Sequence, residues 1–210
     1  MSSRDFVLGK LRVARQPFTD VPPVTERRLM VPEIEGSLLD RFVEEATILN
    51  CDVTRCAGPD EALECLLALL GDDRRLLSWD PAFIPLPGLP DALDRAGIEI
   101  APPDDASVRV GVTGVDAALA PTGSLILTTG PGKPRAVSLL PDVHAAVFTT
   151  DQIMPNLESW GAARRAQGLD DFRQLSNVTI ISGPSRTADI AMQLVLGAHG
   201  PAALHLLILP

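Results

Sequence analysis

Short apolar runs alternate with stretches of helical periodicity along most of the chain. Apolar positions recur at helical spacing over Leu38–Leu49, Asp60–Leu70, Asp91–Ala96, 152–166 and Thr187–Leu196. Between them lie β-prone runs at Asp52–Cys56, Arg74–Trp79, Ile98–Ile100, Val108–Thr113, Ser124–Thr128, Ala145–Phe148, Val178–Ser182 and Ala203–Leu209. Short apolar strands separated by amphipathic helices are what a mostly parallel sheet covered on both faces requires, so the pattern predicts an α/β fold of three layers, α/β/α. The beginning of the chain differs. Residues 4–15 read as a short helix with Phe6, Val7, Leu8 and Leu11 apolar, and Gln16 to Pro32 contains four prolines. This predicts an N-terminal arm and linker over 1–32, followed by one α/β domain over 33–210.

Charge narrows the range of partners. The 210 residues carry a formal net charge of −9, yet residues 1–30 hold six basic and three acidic side chains. The body is therefore acidic and lacks the clustered cations that phosphate-backbone binding needs, which argues against nucleic acid as a partner. No apolar run reaches the ~18 residues of a membrane span, and the first residues lack the apolar stretch of a signal peptide, so the expected address is the cytoplasm. Three cysteines, Cys51, Cys56 and Cys65, form no C-x-x-C pair, and an iron–sulfur cluster needs about four thiolates. No zinc spacing and no dinucleotide glycine motif is present, so no cofactor or metal is expected on this chain.

In an open α/β sheet the residues just after each strand are the first to examine for chemistry. Ser182-Gly183-Pro184-Ser185-Arg186-Thr187 follows a buried strand, and the predicted helix begins there. Ser185 or Thr187 would cap that helix. Its free N–H groups, together with the Arg186 guanidinium, would then hold a carboxylate or phosphate. The same residues also suit a plain cap with Arg186 paired to a surface acid. Thr113, Asp116, Thr122, Gly123 and Ser124, on the loops over 111–124, could line the opposite side of one cleft. The glycines there equally fit tight turns. His199 sits in a predicted helix exit, while His144 and His205 lie in or beside apolar strands and read as core or edge residues. Ser185, Asp189 and His199 supply the residue types of a hydrolase triad, but the second glycine of a nucleophile elbow is missing. Gly130-Pro131-Gly132-Lys133-Pro134 fails as a phosphate loop, because Leu127 replaces the first glycine and Pro134 the magnesium-binding hydroxyl.

Three separated runs, G-V-T-G-V-D-A-A-L-A-P-T-G-S-L over 111–125, S-L-L-P-D-V-H over 138–144, and S-G-P-S-R-T-A-D-I with G-A-H-G-P over 182–201, resemble the lactate utilization protein C (LutC/YkgG) family. The likeness covers residues 108–210. It implies the fold shared by glucosamine-6-phosphate deaminase, ribose-5-phosphate isomerase and CoA-transferases. It also implies a part in oxidising L-lactate to pyruvate beside partner subunits that carry iron–sulfur clusters. The family pattern marks Thr113, Asp116, Thr122, Gly123, the Ser182–Thr187 turn, Asp189, His199 and Gly200, whereas Pro121 stands where the family has an acidic residue. The expectation is a subunit without a cluster, holding a small carboxylate through Ser182, Gly183, Ser185, Arg186 and Thr187, with His199 and Asp189 as catalytic candidates. The alternatives are a stand-alone enzyme of the same fold acting on a phosphosugar or acyl-CoA, and an assembly subunit whose basic arm docks on an acidic partner.

Overall fold

The computed structural model describes residues 3–14, 34–168, 172, 175–188, 194–197 and 199–210. The chain divides into two units, Met1–Met30 and Val31–Pro210. In the first, α1 (Ser3–Ala14) has no buried residue, and Lys10 Nζ lies 4.7 Å from the centre of the Phe6 ring. No described helix is long and apolar enough to cross a membrane.

The second unit is built on a parallel sheet. Its strands are β1 (Asp52–Arg55), β2 (Arg75–Ser78), β3 (Glu99–Ile100), β4 (Val110–Thr113), β7 (Val143–Thr149) and β12 (Ala203–Leu209). They lie in the order β1-β12-β7-β4-β2-β3, and every neighbouring pair is parallel. The architecture is thus α/β with a mostly parallel central sheet. Strands in the middle of such a sheet meet other protein on both faces, which is why β4 and the second half of β12 are uninterrupted runs of buried residues.

Local signals explain the helices beside it. In α2 (Leu38–Ile48) the Ser37 hydroxyl accepts from the Asp40 N–H, and Phe42 and Ala46 are buried one turn apart. The helix α3 (Pro59–Leu70) starts with proline at its first position and buries Ala62, Leu66 and Leu70 at a spacing of one turn. Left-handed Gly88 and Gly97 bracket α4 (Leu89–Ala96).

A second sheet contains β5 (Ala117–Leu119), β6 (Ser124–Thr129), β8 (Ile153–Met154) and β9 (Asn177–Ile181) in the order β8-β5-β6-β9. The strand β5 was not among the predicted elements. The helix expected over 152–166 is shorter as well. Pro155 forces the residue before it out of helical conformation, so Met154 belongs to β8, and α5 (Leu157–Ala166) starts only after Asn156, whose side chain accepts from the Ser159 N–H at 2.7 Å.

The largest departure lies at the predicted helix Thr187–Leu196. Residues Arg186–Ala188 form β10 and Leu194–Leu196 form β11, paired antiparallel as Arg186↔Leu196, Thr187↔Val195 and Ala188↔Leu194. Ser185 does not cap a helix here. Its N–H donates to the Pro201 carbonyl at 2.8 Å and its carbonyl accepts from the Gly197 N–H at 3.0 Å, so its backbone already runs in a ladder. Tertiary pairing has overridden the local capping signal.

Candidate functional site

Thr113 ends β4 and His144 lies near the start of β7, its parallel neighbour. Directly opposite His144 in the register is Gly111. A Cβ on Gly111 would come within 2.1 Å of the Val137 carbonyl oxygen, so only glycine lets the turn Arg135–Ser138 settle onto the strand. That turn brings Ser138 and Leu139 beside His144. His144 is 1% exposed, its Nε2 is 2.8 Å from Thr113 Oγ1, and burial pushes its pKa down to about 4. The imidazole is therefore neutral at pH 7, with the donor role on this hydrogen bond set by its tautomer.

Above His144 opens a pocket of about 230 Å³, lined also by the Ser182–Ser185 turn, His199, Gly200 and Pro201. Gly183 has φ +84°, and a Cβ there would lie 2.8 Å from the Leu49 carbonyl oxygen, so the turn is held against the end of α2 by a residue without a side chain. Among the described lining residues there is no carboxylate, and the titratable groups are His144 and exposed His199. A neutral buried imidazole, serine hydroxyls and an exposed histidine offer hydrogen bonds to a small polar ligand.

The sequence-predicted residues do not converge on one cleft. Ser182, Gly183, Ser185 and His199 meet in this pocket, and Thr113 reaches it through His144. Thr122 and Ser124 line a neighbouring cavity with Ser182, whose Oγ is 2.8 Å from Ser124 Oγ. Gly123 is backbone packing. Its φ is +59°, and an added Cβ would fall 2.4 Å from the Ala46 amide nitrogen. Exposed Arg186 donates to the Leu49 carbonyl and begins the strand β10. Thr187 stands in the β10–β11 ladder, and Asp189 lies outside the described residues.

Asp116 is separated from all of these. Its carboxylate accepts from the Thr128 N–H at 2.7 Å and hydroxyl at 2.8 Å, and it pairs with Lys133 at 2.8 Å and Arg164 at 3.5 Å. It serves as an anion that holds two cations in another cavity.

Sequence reasoning missed three residues. The sequence reads His144 as a core residue, which its burial supports, and the same side chain also forms the floor of the pocket. A lone histidine inside an apolar strand was the available signal. Lys133 belongs to the run that fails as a phosphate loop, and Arg164 to a helix with no motif.

Comparison with known proteins identifies relatives. The LUD domain family matches residues 103–209. The lactate utilization protein C of Exiguobacterium sp. is 30% identical over 177 residues, covering 80% of this chain and 75% of that protein. Its counterpart from Halalkalibacterium halodurans is 29% identical over 198 residues, covering 89% and 84%. Among solved structures, a DUF162 family protein from Deinococcus radiodurans shares the fold, with a TM-score of 0.61 at 24% identity over 82% of this chain and 96% of that one.

Proposed function

Because the chain belongs to the LUD domain, lactate utilization protein C (LutC/YkgG) family, we propose that it serves lactate utilization as a cluster-free subunit that holds a small carboxylate over His144. The observation that carries this reading is the pocket itself. Its volume of about 230 Å³ suits a three-carbon acid, and its floor is an imidazole kept neutral by burial. Oxidising L-lactate to pyruvate breaks one O–H and one C–H bond and releases two protons, which end in solvent, and two electrons, which the partner subunits must accept. His144, a neutral imidazole whose ring Thr113 fixes, offers a hydrogen bond to the substrate, and His199, the exposed histidine of the lining, takes the hydroxyl proton on to solvent. Ser182 and Ser185 donate to the carboxylate.

The electrons leave to partner subunits. Cluster ligation calls for thiolates, whereas burial pushes Cys51 and Cys56 each up to about 11. Among the described residues no three His, Cys, Asp or Glu side chains are placed to hold a metal ion. Three cysteines fall short of the roughly four thiolates of a cluster, which supports assigning the iron–sulfur chemistry to partner subunits.

The test compares lactate-dependent dye reduction by the tagged protein from its native host with that of the recombinant chain, and measures lactate and pyruvate binding by calorimetry. We expect activity only where iron–sulfur partners co-purify, and binding by the isolated chain that His144→Gln weakens. Turnover of a phosphosugar or acyl-CoA by the isolated chain would replace this reading with a stand-alone enzyme.

A further inference from the structure

A cavity of about 460 Å³ opens beyond the carboxyl ends of β2 and β4, with Phe83, Lys133, Arg164, Gln167, Phe172 and Leu175 among its lining residues. This is where the strand order reverses, since the chain runs from β2 outward to β3 and then returns on the other side of β2 to β4. Ligands of open α/β sheets gather at such points. The cavity is twice the volume of the pocket over His144, and its walls differ in kind.

Charge is the first difference. Asp116 is 7% exposed and shared between two cations, so one positive charge is left over among the described lining side chains. The cations are fixed in place by aromatic rings. Lys133 Nζ lies 5.1 Å from the Trp79 ring centre and 5.0 Å from that of Phe83, and the Arg164 guanidinium lies 5.7 Å from the Trp160 ring. Apolar surface is the second difference. Phe83 and Phe172 are 43% and 37% exposed while lining a concave wall, so each shows ring surface that the chain itself leaves uncovered. Gly132, at φ +75°, lies against Phe83, and a Cβ there would meet the ring at 2.6 Å. The ring thus has a defined seat.

We infer that this cavity is a second binding site, for a planar aromatic anion whose ring packs against Phe83 and Phe172 and whose charge meets Arg164 and Lys133. Phe172 packs edge-on against Trp160 and Phe83 carries Lys133, and a three-carbon acid would leave the exposed remainder of both rings uncovered. An uncharged ring would leave the two cations to share the one carboxylate of Asp116 among the described lining side chains. A planar acid satisfies both at once, and a guanidinium presents a flat fork that matches a carboxylate.

The chain reports on this site without a label. It has two tryptophans, Trp79 and Trp160, and no tyrosine, and each tryptophan carries one of the two cations. The experiment titrates the full chain with benzoate, cyclohexanecarboxylate and benzyl alcohol, reading tryptophan emission and heat. The three probes keep a six-membered ring and change its aromaticity or its charge. Saturable benzoate binding is expected, at least about tenfold tighter than either control. Phe83→Leu and Arg164→Gln should each weaken it by about fivefold or more. Phe83→Leu changes an exposed side chain, so it stands as the test even where Arg164→Gln disturbs folding. Equal affinity for a control, benzoate binding untouched by Phe83→Leu, or no saturable benzoate binding overturns the inference. None of these readings depends on lactate binding over His144, so the two sites stand or fall separately.

Discussion

Thr113 Oγ1 and His144 Nε2 are hydrogen-bonded at 2.8 Å between neighbouring parallel strands, with both side chains almost wholly removed from solvent. A histidine in a strand of this sheet is affordable only with such a partner, because a buried ring nitrogen without one keeps its full desolvation cost. Thr113→Val preserves shape and removes the partner. We expect a loss of roughly 1–3 kcal/mol in urea unfolding. A midpoint equal to that of the parent would mean that the pair contributes nothing net.

The same burial makes stability depend on pH. His144 titrates near about 4 in the fold against 6.5 for a free imidazole. Between those values the unfolded chain takes up a proton that the native chain refuses. Stability is therefore complete above pH 6.5 and falls as pH drops through the window, by roughly 3 kcal/mol in the limit. Urea midpoints followed from about pH 7.5 to about pH 4.5 should fall more steeply for the parent than for His144→Gln. Parallel curves would place the proton elsewhere.

Gly123→Ala tests a contact between backbones. The position is left-handed, and the added carbon would strike the amide nitrogen of Ala46 in the last turn of α2. The β5–β6 turn and the helix cannot both keep their places, and a loss of about 3 kcal/mol or more is expected in thermal unfolding. A drop of less than about 1 kcal/mol would show that the turn yields easily.

Asp116→Asn keeps an acceptor for the Thr128 N–H and removes the charge that pairs Lys133, itself only 17% exposed. Breaking a buried pair from one side costs roughly 3 kcal/mol. Because Lys133 rests over Trp79, tryptophan emission should change together with the urea midpoint. Unaltered emission would mean that Lys133 does not need Asp116 to hold its position.

The sequence was most legible where burial is symmetrical. The closing strand was expected at Ala203–Leu209 and occupies those residues, because a strand covered on both faces writes itself as an apolar run. Pro155 marked the end of β8 in plain sight, but helical periodicity on both sides of it masked the break. At 187–196 the local signals for a cap and a helix were consistent with each other, and pairing with a partner strand decided the outcome. The site divided in the same way. Ser182, Gly183, Ser185 and His199 are brought together by two turns whose glycines could be read directly. Asp116 finds its cations 17 and 48 residues further along, and no local spacing encodes a contact of that kind.

Among the described strands β1 sits at the edge of the parallel sheet and pairs with β12, about 150 residues further along the chain. During synthesis β1 emerges early and has no partner until β12 has left the ribosome. Closing so long a loop carries a large entropic cost before any contact repays it. A nascent chain halted before β12 would therefore expose two strand edges, those of β1 and β7, to chaperones and to aggregation. The order of the strands makes completion of the sheet a late, all-or-none event.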